Sequence, residues 1–462
     1  MIRHLALAEI AHALDIEPPA GSESLQITGV STDSRFVQQG QLFVALRGER
    51  FDAHDFAAEV VRRGAAALVC SRDVNVPVPV LKVSDTEIAL GRIGAYHRGL
   101  FGGTVVAITG SAGKTTTKDM IAALLAPVGQ VLATRGNLNN EIGVPLTLLG
   151  LEASHQFAVI EMGAGKPGDI EYLAQMASPR VALLTNALPA HLERLGSLEE
   201  VARTKGAIYA ALPVDGIAVL NADDPFAAYW AGVIGARRTL RFSALGAAGA
   251  EVRASSIRMQ DGCARFCLEL PGEQVAVRLA VLGVQQVANA LAAAAVGHAL
   301  GLPGETIAHA LESLQGTAGR MRRLHGDAGA LLIDDTYNAN PGSVRAAIDT
   351  LAGLDGTRVL VLGNMAELGP DAPALHRACG VHARERGIDH VLATGQHAAD
   401  VAAGFGSGAA VFGDREELIA AARTFDRLGS AILVKGSRSA GMESVITALS
   451  SKTVGLARTG TH

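Results

Sequence analysis

An apolar strand that runs directly into a glycine-rich turn and then a helix constrains this chain more than any other feature. Residues Thr104–Thr109 read TVVAIT, a continuous apolar run of the kind that parallel sheets bury on both faces. Four small residues follow as Gly110–Gly113, and an apolar face at helical spacing then covers residues 120–125. This order of strand, turn and helix predicts a doubly wound α/β sheet.

The same turn predicts a phosphate-binding loop. Small residues let backbone N–H groups approach phosphates, and Lys114 can reach the β- and γ-phosphate oxygens while Thr115 offers a hydroxyl to Mg²⁺. The first glycine of the standard motif G-x-x-x-x-G-K falls at Ile108, so a glycine turn without a ligand stays open at this step. The predicted ATP contacts in the loop are Gly110, Ser111, Ala112, Gly113, Lys114, Thr115 and Thr116.

The periodicity of the chain divides it into three α/β units. A length of 462 residues has room for several domains of ordinary size. Residues 1–101 predict a small mixed unit, residues 102–316 a central parallel sheet with an antiparallel extension, and residues 317–462 a second doubly wound sheet. In the first unit we expect one strand at Gln26–Val30.

Composition excludes several classes of partner. The formal net charge of −5 gives no electrostatic reason to expect nucleic acid, and the sequence contains no run of about 18 uncharged apolar residues that would predict a membrane span. The four cysteines form no Cys-x-x-Cys pair, and the first residues carry no signal-peptide pattern. We therefore expect a cytoplasmic protein with reduced thiols.

Three further residues are candidates for the metal site, each with a plainer interpretation. Glu161 ends an apolar strand, where a carboxylate faces the ligand crevice and can hold Mg²⁺, but a solvated loop carboxylate also fits. His191 follows another strand, and a surface histidine is the plainer interpretation because Mg²⁺ rarely selects imidazole. Lys205 lies within a predicted helix, where a solvated lysine is the default.

Several stretches nevertheless occur together in one order. They are DSR at 33–35, TGSAGKTTT at 109–117, TRGNLNNEIGVP at 134–145, NALPAH at 186–191, ARTKG at 202–206, DDTYNANP at 334–341 and KGSR at 435–438. The set resembles the Mur ligase family over most of the chain. This resemblance implies a domain that holds a UDP-sugar, a central ATPase and a C-terminal Rossmann-like domain, and it implies an ATP-dependent amide-bond ligase that works through an acyl phosphate.

The resemblance also implies substrates and cofactors. The chain most resembles those members of the family that act in peptidoglycan precursor synthesis. Their substrates are UDP-N-acetylmuramoyl-tripeptide and D-alanyl-D-alanine, and they use ATP and Mg²⁺. The stretches at 137–140, 337–341 and 435–438 carry this distinction. We expect a monomer. Whether the third residue of the tripeptide is diaminopimelate or lysine stays open.

Site residues follow from the resemblance by position. It implies catalytic roles for Lys114, Lys205 and Arg320, with Lys205 carbamylated and Arg320 on the γ-phosphate; Asn289 lies near the adenine and Asp335 on the ribose. The implied metal ligands are Thr115, Glu161, His191 and Lys205. The implied substrate contacts are Asp33, Ser34, Arg35, Asn137, Asn139, Asn140, Asn338, Asn340, Lys435, Ser437 and Arg438.

Two other classes of protein compete with this interpretation. A folylpolyglutamate synthetase shares the ATPase core and the acyl-phosphate chemistry, but it has no UDP-sugar domain like residues 1–101. A P-loop switch or motor protein would use ATP for conformational work and would need neither the metal-site lysine nor an arginine from the third unit.

Overall fold

The computed structural model describes residues 1–48, 51–189, 192–314 and 316–450, and it divides them into three α/β domains. The predicted fold class is confirmed. Within the described residues, no helix is both long enough and apolar enough to cross a bilayer.

The N-terminal domain is a small four-stranded parallel sheet with a short antiparallel ribbon beside it. Its strands are β1 (Leu5–Ala6), β2 (Gln26–Ile27), β3 (Val30–Ser31), β4 (Leu42–Val44), β5 (Ala67–Cys70) and β6 (Val80–Lys82), and its helices are α1 (Leu7–Leu14), α2 (Ala57–Arg62) and α3 (Thr86–Gly99). The ribbon is β1-β2, and the sheet order is β3-β4-β5-β6. The single strand expected at Gln26–Val30 is therefore two strands in different sheets, because Thr28 N–H between them donates to Gly40 O instead of continuing either ladder.

The middle domain contains the apolar strand Thr104–Thr109 and the glycine-rich turn Gly110–Gly113, from which the fold class was predicted. Its strands are β7 (Thr104–Thr109), β8 (Gln130–Ala133), β9 (His155–Glu161), β10 (Val181–Leu184), β11 (Ile217–Asn221), β12 (Arg238–Ser243), β13 (Val252–Gln260), β14 (Cys263–Leu270) and β15 (Glu273–Leu282). Its helices are α4 (Lys114–Leu125), α5 (Gly143–Leu149), α6 (Asp169–Ala177), α7 (Leu192–Leu195), α8 (Leu198–Ala210), α9 (Ala227–Ile234), α10 (Gln285–Ala299) and α11 (Gly304–Ser313).

These strands form one nine-stranded sheet in the order β15-β14-β13-β12-β11-β10-β7-β9-β8. The strands from β8 to β13 in that order pair in parallel, and β13, β14 and β15 pair antiparallel, which is the predicted extension. Alternate residues of β7 enter different cores: Val106 and Ile108 pack toward α4 and α10, whereas Val105 and Ala107 pack toward α6 and α8. Burial on both faces explains the continuous apolar run.

The C-terminal domain is a six-stranded sheet in which a short antiparallel edge strand precedes five parallel strands. Its strands are β16 (Arg322–His325), β17 (Leu331–Asp335), β18 (Thr357–Leu362), β19 (His390–Thr394), β20 (Ala409–Phe412) and β21 (Ser430–Lys435), and its helices are α12 (Pro341–Ala352), α13 (Ala372–Glu385), α14 (Ala398–Phe405), α15 (Arg415–Arg423) and α16 (Glu443–Leu449). The order β16-β17-β21-β18-β19-β20 brings the ends of β17 and β21 side by side.

The first domain joint, between the N-terminal and middle domains, is a close backbone contact. Helix α3 packs on α5 so tightly that a Cβ added to Gly94 would lie 2.7 Å from Pro145 Cβ and 2.9 Å from Pro145 Cα. The buried His97 ring bonds across the joint, with Nδ1 donating to Leu148 O (3.0 Å), while its Nε2 accepts from Ile2 N–H (3.0 Å). Arg98 adds a bond from Nε to Ala177 O (2.8 Å).

The second domain joint, between the middle and C-terminal domains, combines a small apolar contact with separate polar bonds. Cys263 and Leu282 from the β14–β15 end of the middle sheet pack into the C-terminal core. The Thr317 hydroxyl in the segment between α11 and β16 donates to Asp119 Oδ2 on α4 (2.6 Å). A cleft separates the two domains beyond these contacts.

Candidate active site

A cleft of about 1100 Å³ lies between the carboxyl edge of the middle sheet and the C-terminal domain. Most of the residues predicted for nucleotide, metal and substrate contact line it. They are Ser111, Ala112, Gly113, Lys114, Thr115, Thr116, Asn137, Asn139, Asn140, Glu161, Lys205, Asn289, Arg320, Asp335, Asn338, Asn340 and Lys435. The carboxyl edge of a parallel sheet is where α/β folds bind ligands, so the topology accounts for this convergence.

The phosphate loop is held from two sides. At Gly113, φ is +80°, and an added Cβ would approach Asn289 Oδ1 to 2.3 Å, so the loop needs glycine there. From the loop that follows β10, the Thr185 hydroxyl donates to Ala112 O (2.7 Å) and Asn186 Oδ1 accepts from Ala112 N–H (2.9 Å). Helix α4 begins at Lys114, so its first N–H groups, which lack partners within the helix, remain available to an anion.

Lys114 folds back over the loop. Its ammonium donates to Gly110 O (2.7 Å). Burial lowers the pKa of Lys114, Glu161 opposes that shift, and the Arg320 guanidinium adds to it. Because Arg320 belongs to the C-terminal domain, the two cations face one another across the cleft, where bound phosphate would neutralise both.

Glu161 and Thr115 form the candidate cation site. The Glu161 carboxylate is 2% exposed; its Oε2 accepts from the Thr115 hydroxyl (2.7 Å) and its Oε1 from Asn139 Nδ2 (2.9 Å). Carboxylate and hydroxyl oxygens suit Mg²⁺, so these residues fit that ion. Across residues 1–48, 51–189, 192–314 and 316–450, no three His, Cys, Asp or Glu side chains group closely enough to hold a metal by themselves. His191, the remaining predicted ligand, lies outside the described residues.

Lys205 is buried on α8, with 1% of the residue exposed. Burial, with a contribution from the nearby Lys114 charge, lowers its pKa to about 7. The helix is fixed at this point because Trp230 packs on it: the indole N–H donates to Ala202 O (2.9 Å), and an added Cβ on Gly206 would lie 2.7 Å from the ring. Lys205 is therefore a buried amine that is partly neutral at physiological pH.

The C-terminal wall of the cleft is built on the ends of β17 and β21. Lys435 Nζ, buried, binds Asp335 Oδ2 (2.5 Å) and Asn338 O (2.9 Å). Asp335 and Lys435 are thus partners within one domain. The Arg320 guanidinium lies over the Tyr337 ring, with Cζ 4.1 Å from the ring centroid.

Four other predicted residues have structural contacts or lie off the lining of the cleft. Asn340 caps α12, since its Oδ1 accepts from Ser343 N–H (2.8 Å). Ser437 is buried beside the cleft without lining it. Arg438 lies 3.6 Å from Glu443, and its Cζ is 6.0 Å from the Tyr337 ring centroid. Gly110 supports the loop from behind, through the bond that its carbonyl accepts from Lys114.

The Asp33-Ser34-Arg35 stretch is outside this cleft, in the N-terminal domain. Arg35 donates from Nε to Asp33 Oδ1 (2.9 Å) and from a terminal nitrogen to Oδ2 (2.6 Å). These side-chain bonds lower the pKa of Asp33 to about 2. A sugar-nucleotide ligand at this stretch would reach the chemistry only by extending across the first domain joint.

Several cleft residues were not predicted. Asn186 and Tyr337 lie inside stretches that the sequence had singled out, but no role was given to them. Gln286, which accepts from Asn289 Nδ2 at 2.8 Å, could have been found from its position one helical turn away. Lys166, Arg194 and Glu367 line the cleft from loops or short elements, where charged residues are ordinary in sequence.

Comparison with known proteins agrees with this geometry. Models of the Mur ligase family match three successive regions: the catalytic domain at residues 26–98, the middle domain at 108–297 and the glutamate ligase domain at 319–438. The UDP-N-acetylmuramoyl-tripeptide--D-alanyl-D-alanine ligase of Escherichia coli is 44% identical over 429 residues, which are 92% of this chain and 94% of that protein. The chain belongs to the Mur ligase family.

Solved structures of other Mur ligases share the whole architecture of this one. MurF from Acinetobacter baumannii is 36% identical with a TM-score of 0.90, and the match covers 96% of this Mur ligase and 98% of that chain. MurF ligase from Thermotoga maritima, solved in complex with ADP, is 30% identical with a TM-score of 0.82, covering 91% of this chain and 96% of that one. Among relatives by sequence, the UDP-N-acetylmuramoyl-tripeptide--D-alanyl-D-alanine ligase of Haemophilus influenzae is 38% identical, and the match covers 94% of this Mur ligase and 95% of that protein.

Proposed function

We propose that this Mur ligase uses ATP to join D-alanyl-D-alanine to UDP-N-acetylmuramoyl-tripeptide in peptidoglycan precursor synthesis. The observation that carries the proposal is the convergence of Lys114, Glu161, Lys205 and Arg320 on one cleft in a chain that is 44% identical to an E. coli ligase of that name. We also propose that the protein is a cytoplasmic monomer without nucleic acid or membrane as a partner; the formal net charge of −5 supports the absence of nucleic acid. The proposed domain boundaries are 1–101, 102–316 and 317–462; each sheet lies within one of these ranges.

The proposed reaction has two steps, and the first needs positive charge around the phosphoryl group that is transferred. In the first step a carboxylate oxygen of the tripeptide attacks the γ-phosphorus, the bond to the ADP oxygen breaks, and an acyl phosphate forms. Lys114, the α4 N-terminus and Arg320 stabilise the phosphoryl oxygens during this transfer. In the second step the dipeptide amine attacks the acyl carbon, loses a proton, and inorganic phosphate leaves with the C–O bond electrons.

Thr115, Glu161, His191 and Lys205 are the proposed ligands of Mg²⁺, which when bound would neutralise phosphate charge. Glu161 and Thr115 already present their oxygens to one another. We propose that Lys205 acts as a carbamate: its amine, with a pKa of about 7, can add to CO₂ with loss of a proton. The resulting anion would also relieve the repulsion from Lys114.

The remaining predicted residues are proposed to bind the substrates. Asn289 and Asp335 contact the adenosine, and Asp33, Ser34 and Arg35 the uridine diphosphate. The asparagines at 137, 139 and 140 border the cation site and are proposed to contact the tripeptide. Asn338 and Asn340, with the loop Lys435–Arg438, form the wall nearest to the proposed dipeptide site, where Lys435 and Asn340 act by holding the wall in shape.

A coupled assay tests this function. Purified protein with ATP, UDP-N-acetylmuramoyl-tripeptide and D-alanyl-D-alanine should release ADP and phosphate only when all three are present. Lys114→Ala should lower kcat by about 10²–10³-fold, because one contact to the transferring group is lost. Lys82→Ala, which removes an exposed lysine paired with Asp73, is the matched control and should leave kcat unchanged.

Three results would count against the proposal. Release of phosphate without ligation would favour a P-loop switch, and turnover of a folate with glutamate would favour a folylpolyglutamate synthetase. Activity of Lys114→Ala within threefold of wild type would contradict the phosphate-loop assignment.

A further inference from the structure

The segment that carries Arg320 into the cleft has an unusual backbone. Two residues that flank the arginine are in the left-handed region: Gly319 has φ of +74° and Met321 has φ of +54°. Met321 is not glycine, so this conformation is strained and persists only when the surroundings hold it. Its side chain is buried in the C-terminal core.

Two consecutive carboxylates at the end of β17 hold this segment. Asp334 Oδ2 accepts from Gly319 N–H (2.8 Å), and Asp335 Oδ1 accepts from Met321 N–H (3.3 Å). The peptide N–H groups on either side of Arg320 therefore both end on β17. A third bond, from Tyr337 N–H to Gly319 O (3.1 Å), returns from the chain that follows this strand.

Asp334 is not itself a wall of the cleft. It is 4% exposed and is absent from the residues that line the cavity. Its other oxygen, Oδ1, accepts from the Thr336 hydroxyl (2.7 Å), which fixes the carboxylate orientation. The shortest route from Asp334 to the cleft is therefore the backbone segment that it holds.

We propose that Asp334 is a positioning residue for the phosphoryl-transfer step, which sets the place of the Arg320 guanidinium by holding the Gly319 amide. The inference rests on the proposed role of Arg320 at the γ-phosphate. When Asp334 loses its acceptor oxygens, the strained segment relaxes and the guanidinium moves away from Lys114. A displacement of about 1 Å in a positioning group can cost a factor of about 10² in rate.

The nearest alternative route from Asp334 is through Arg322, whose terminal nitrogen lies 3.6 Å from Asp334 Oδ2. That contact is longer than a hydrogen bond, and Arg322 does not line the cleft. Arg322→Ala in the same assay separates the two routes, since it should leave kcat within threefold of wild type.

A double-mutant cycle tests the inference in the full-length enzyme. Arg320→Ala should lower kcat by about 10²–10³-fold. Asp334→Ala should lower kcat by about 10–10²-fold with little change in KM for the UDP-tripeptide, and Asp334→Asn, which keeps one acceptor oxygen, should recover part of that loss. The variant with both alanines should be no slower than Arg320→Ala alone, because Asp334 acts through Arg320.

Asp426→Ala is the matched control. Asp426 also accepts from two backbone N–H groups, Ala328 (3.0 Å) and Ala330 (3.1 Å), but at the opposite end of β17. It should lower stability without a comparable loss in kcat. If Asp334→Ala does not fold, Thr336→Val replaces it in the same cycle and should give a smaller loss of the same kind.

The outcomes are distinct. Wild-type kcat in Asp334→Ala, or losses that multiply in the double variant, would overturn the positioning role while leaving the proposed function intact. Wild-type kcat in Arg320→Ala would instead contradict the proposed role of the arginine.

Discussion

The two domain joints of this Mur ligase depend on different kinds of contact. The first is a backbone contact, in which Gly94 on α3 lies against Pro145 with no room for a side chain. The second depends on separate side-chain bonds, such as that from Thr317 to Asp119, beside a small apolar contact and a large cleft. Close-packed backbone resists relative motion, whereas a few polar bonds can open and re-form. We infer that the first joint is fixed and that the second is where the enzyme opens and closes.

The largest effect should come from filling the first joint. Gly94→Ala puts a methyl group within 2.9 Å of Pro145 Cα, so one element must shift, which typically costs about 1–3 kcal/mol in the free energy of unfolding. Urea denaturation measures this loss. Gly99→Ala, in the same helix with open space around it, should cause no loss. Equal stabilities for the two variants would remove the reason to call this joint close-packed.

A second effect should appear at the same joint when the pH is lowered, as a loss of stability. Burial lowers the pKa of His97, and the N-terminal amine and Arg3 add to the shift, although the bond to Leu148 O opposes it. Below a pH of about 6.5 the unfolded chain takes up a proton that the folded protein refuses, so stability falls as pH falls, by at most about 1.4 kcal/mol per pH unit from this group.

Denaturation at pH 7.5 and 5.5 measures this dependence. His97→Gln should reduce the difference between the two values, and His4→Gln, which changes an exposed histidine, should not. An unchanged difference in His97→Gln would mean that the joint does not sense pH through this residue.

The smallest effect should come from the second joint. Thr317→Val removes the bond to Asp119, worth about 1 kcal/mol, so the arrangement of the two domains in this structure should become about fivefold less favoured. We expect kcat/KM for ATP to fall about fivefold and the melting temperature to stay constant. Small-angle scattering with an ATP analogue and UDP-tripeptide should show less compaction than in wild type.

Thr424→Val is the control, since the Thr424 hydroxyl donates to Ala421 O within its own helix end. A fall in melting temperature without a change in kcat/KM would show that the Thr317 bond supports the fold and not closure.

The fold was predictable where strands are buried on both faces. The strand β7 has such an apolar run, and so do β10 and β11. The strands β8 and β16 were not predicted, because edge strands such as QVLA and RRLH are short and partly polar and leave little apolar pattern. The division of Gln26–Val30 into two strands depends on a contact with Gly40, which local sequence does not reveal.

The site was predictable where a local pattern is specific. The phosphate loop was found from its strand, its small residues and the helix that follows, whereas Glu161 gained its role only from the ordered set of motifs. Partners such as Lys435 with Asp335, a hundred positions apart in sequence, required the sheet order that brings β17 and β21 together. The hydrogen bond from Gly319 N–H to Asp334 also could not be predicted, because a carboxylate at a strand end has many ordinary uses and only the tertiary structure shows its partner.

The chain contains a single tryptophan, and it packs on the helix that carries Lys205. Its indole N–H bond to Ala202 and its contact with Gly206 tie the emission of that ring to the state of α8. Tryptophan fluorescence therefore comes from one known place, a ring packed on Gly206, the residue that follows Lys205 in sequence. We expect modification of Lys205 to change this emission, so that the modification could be followed without an attached label.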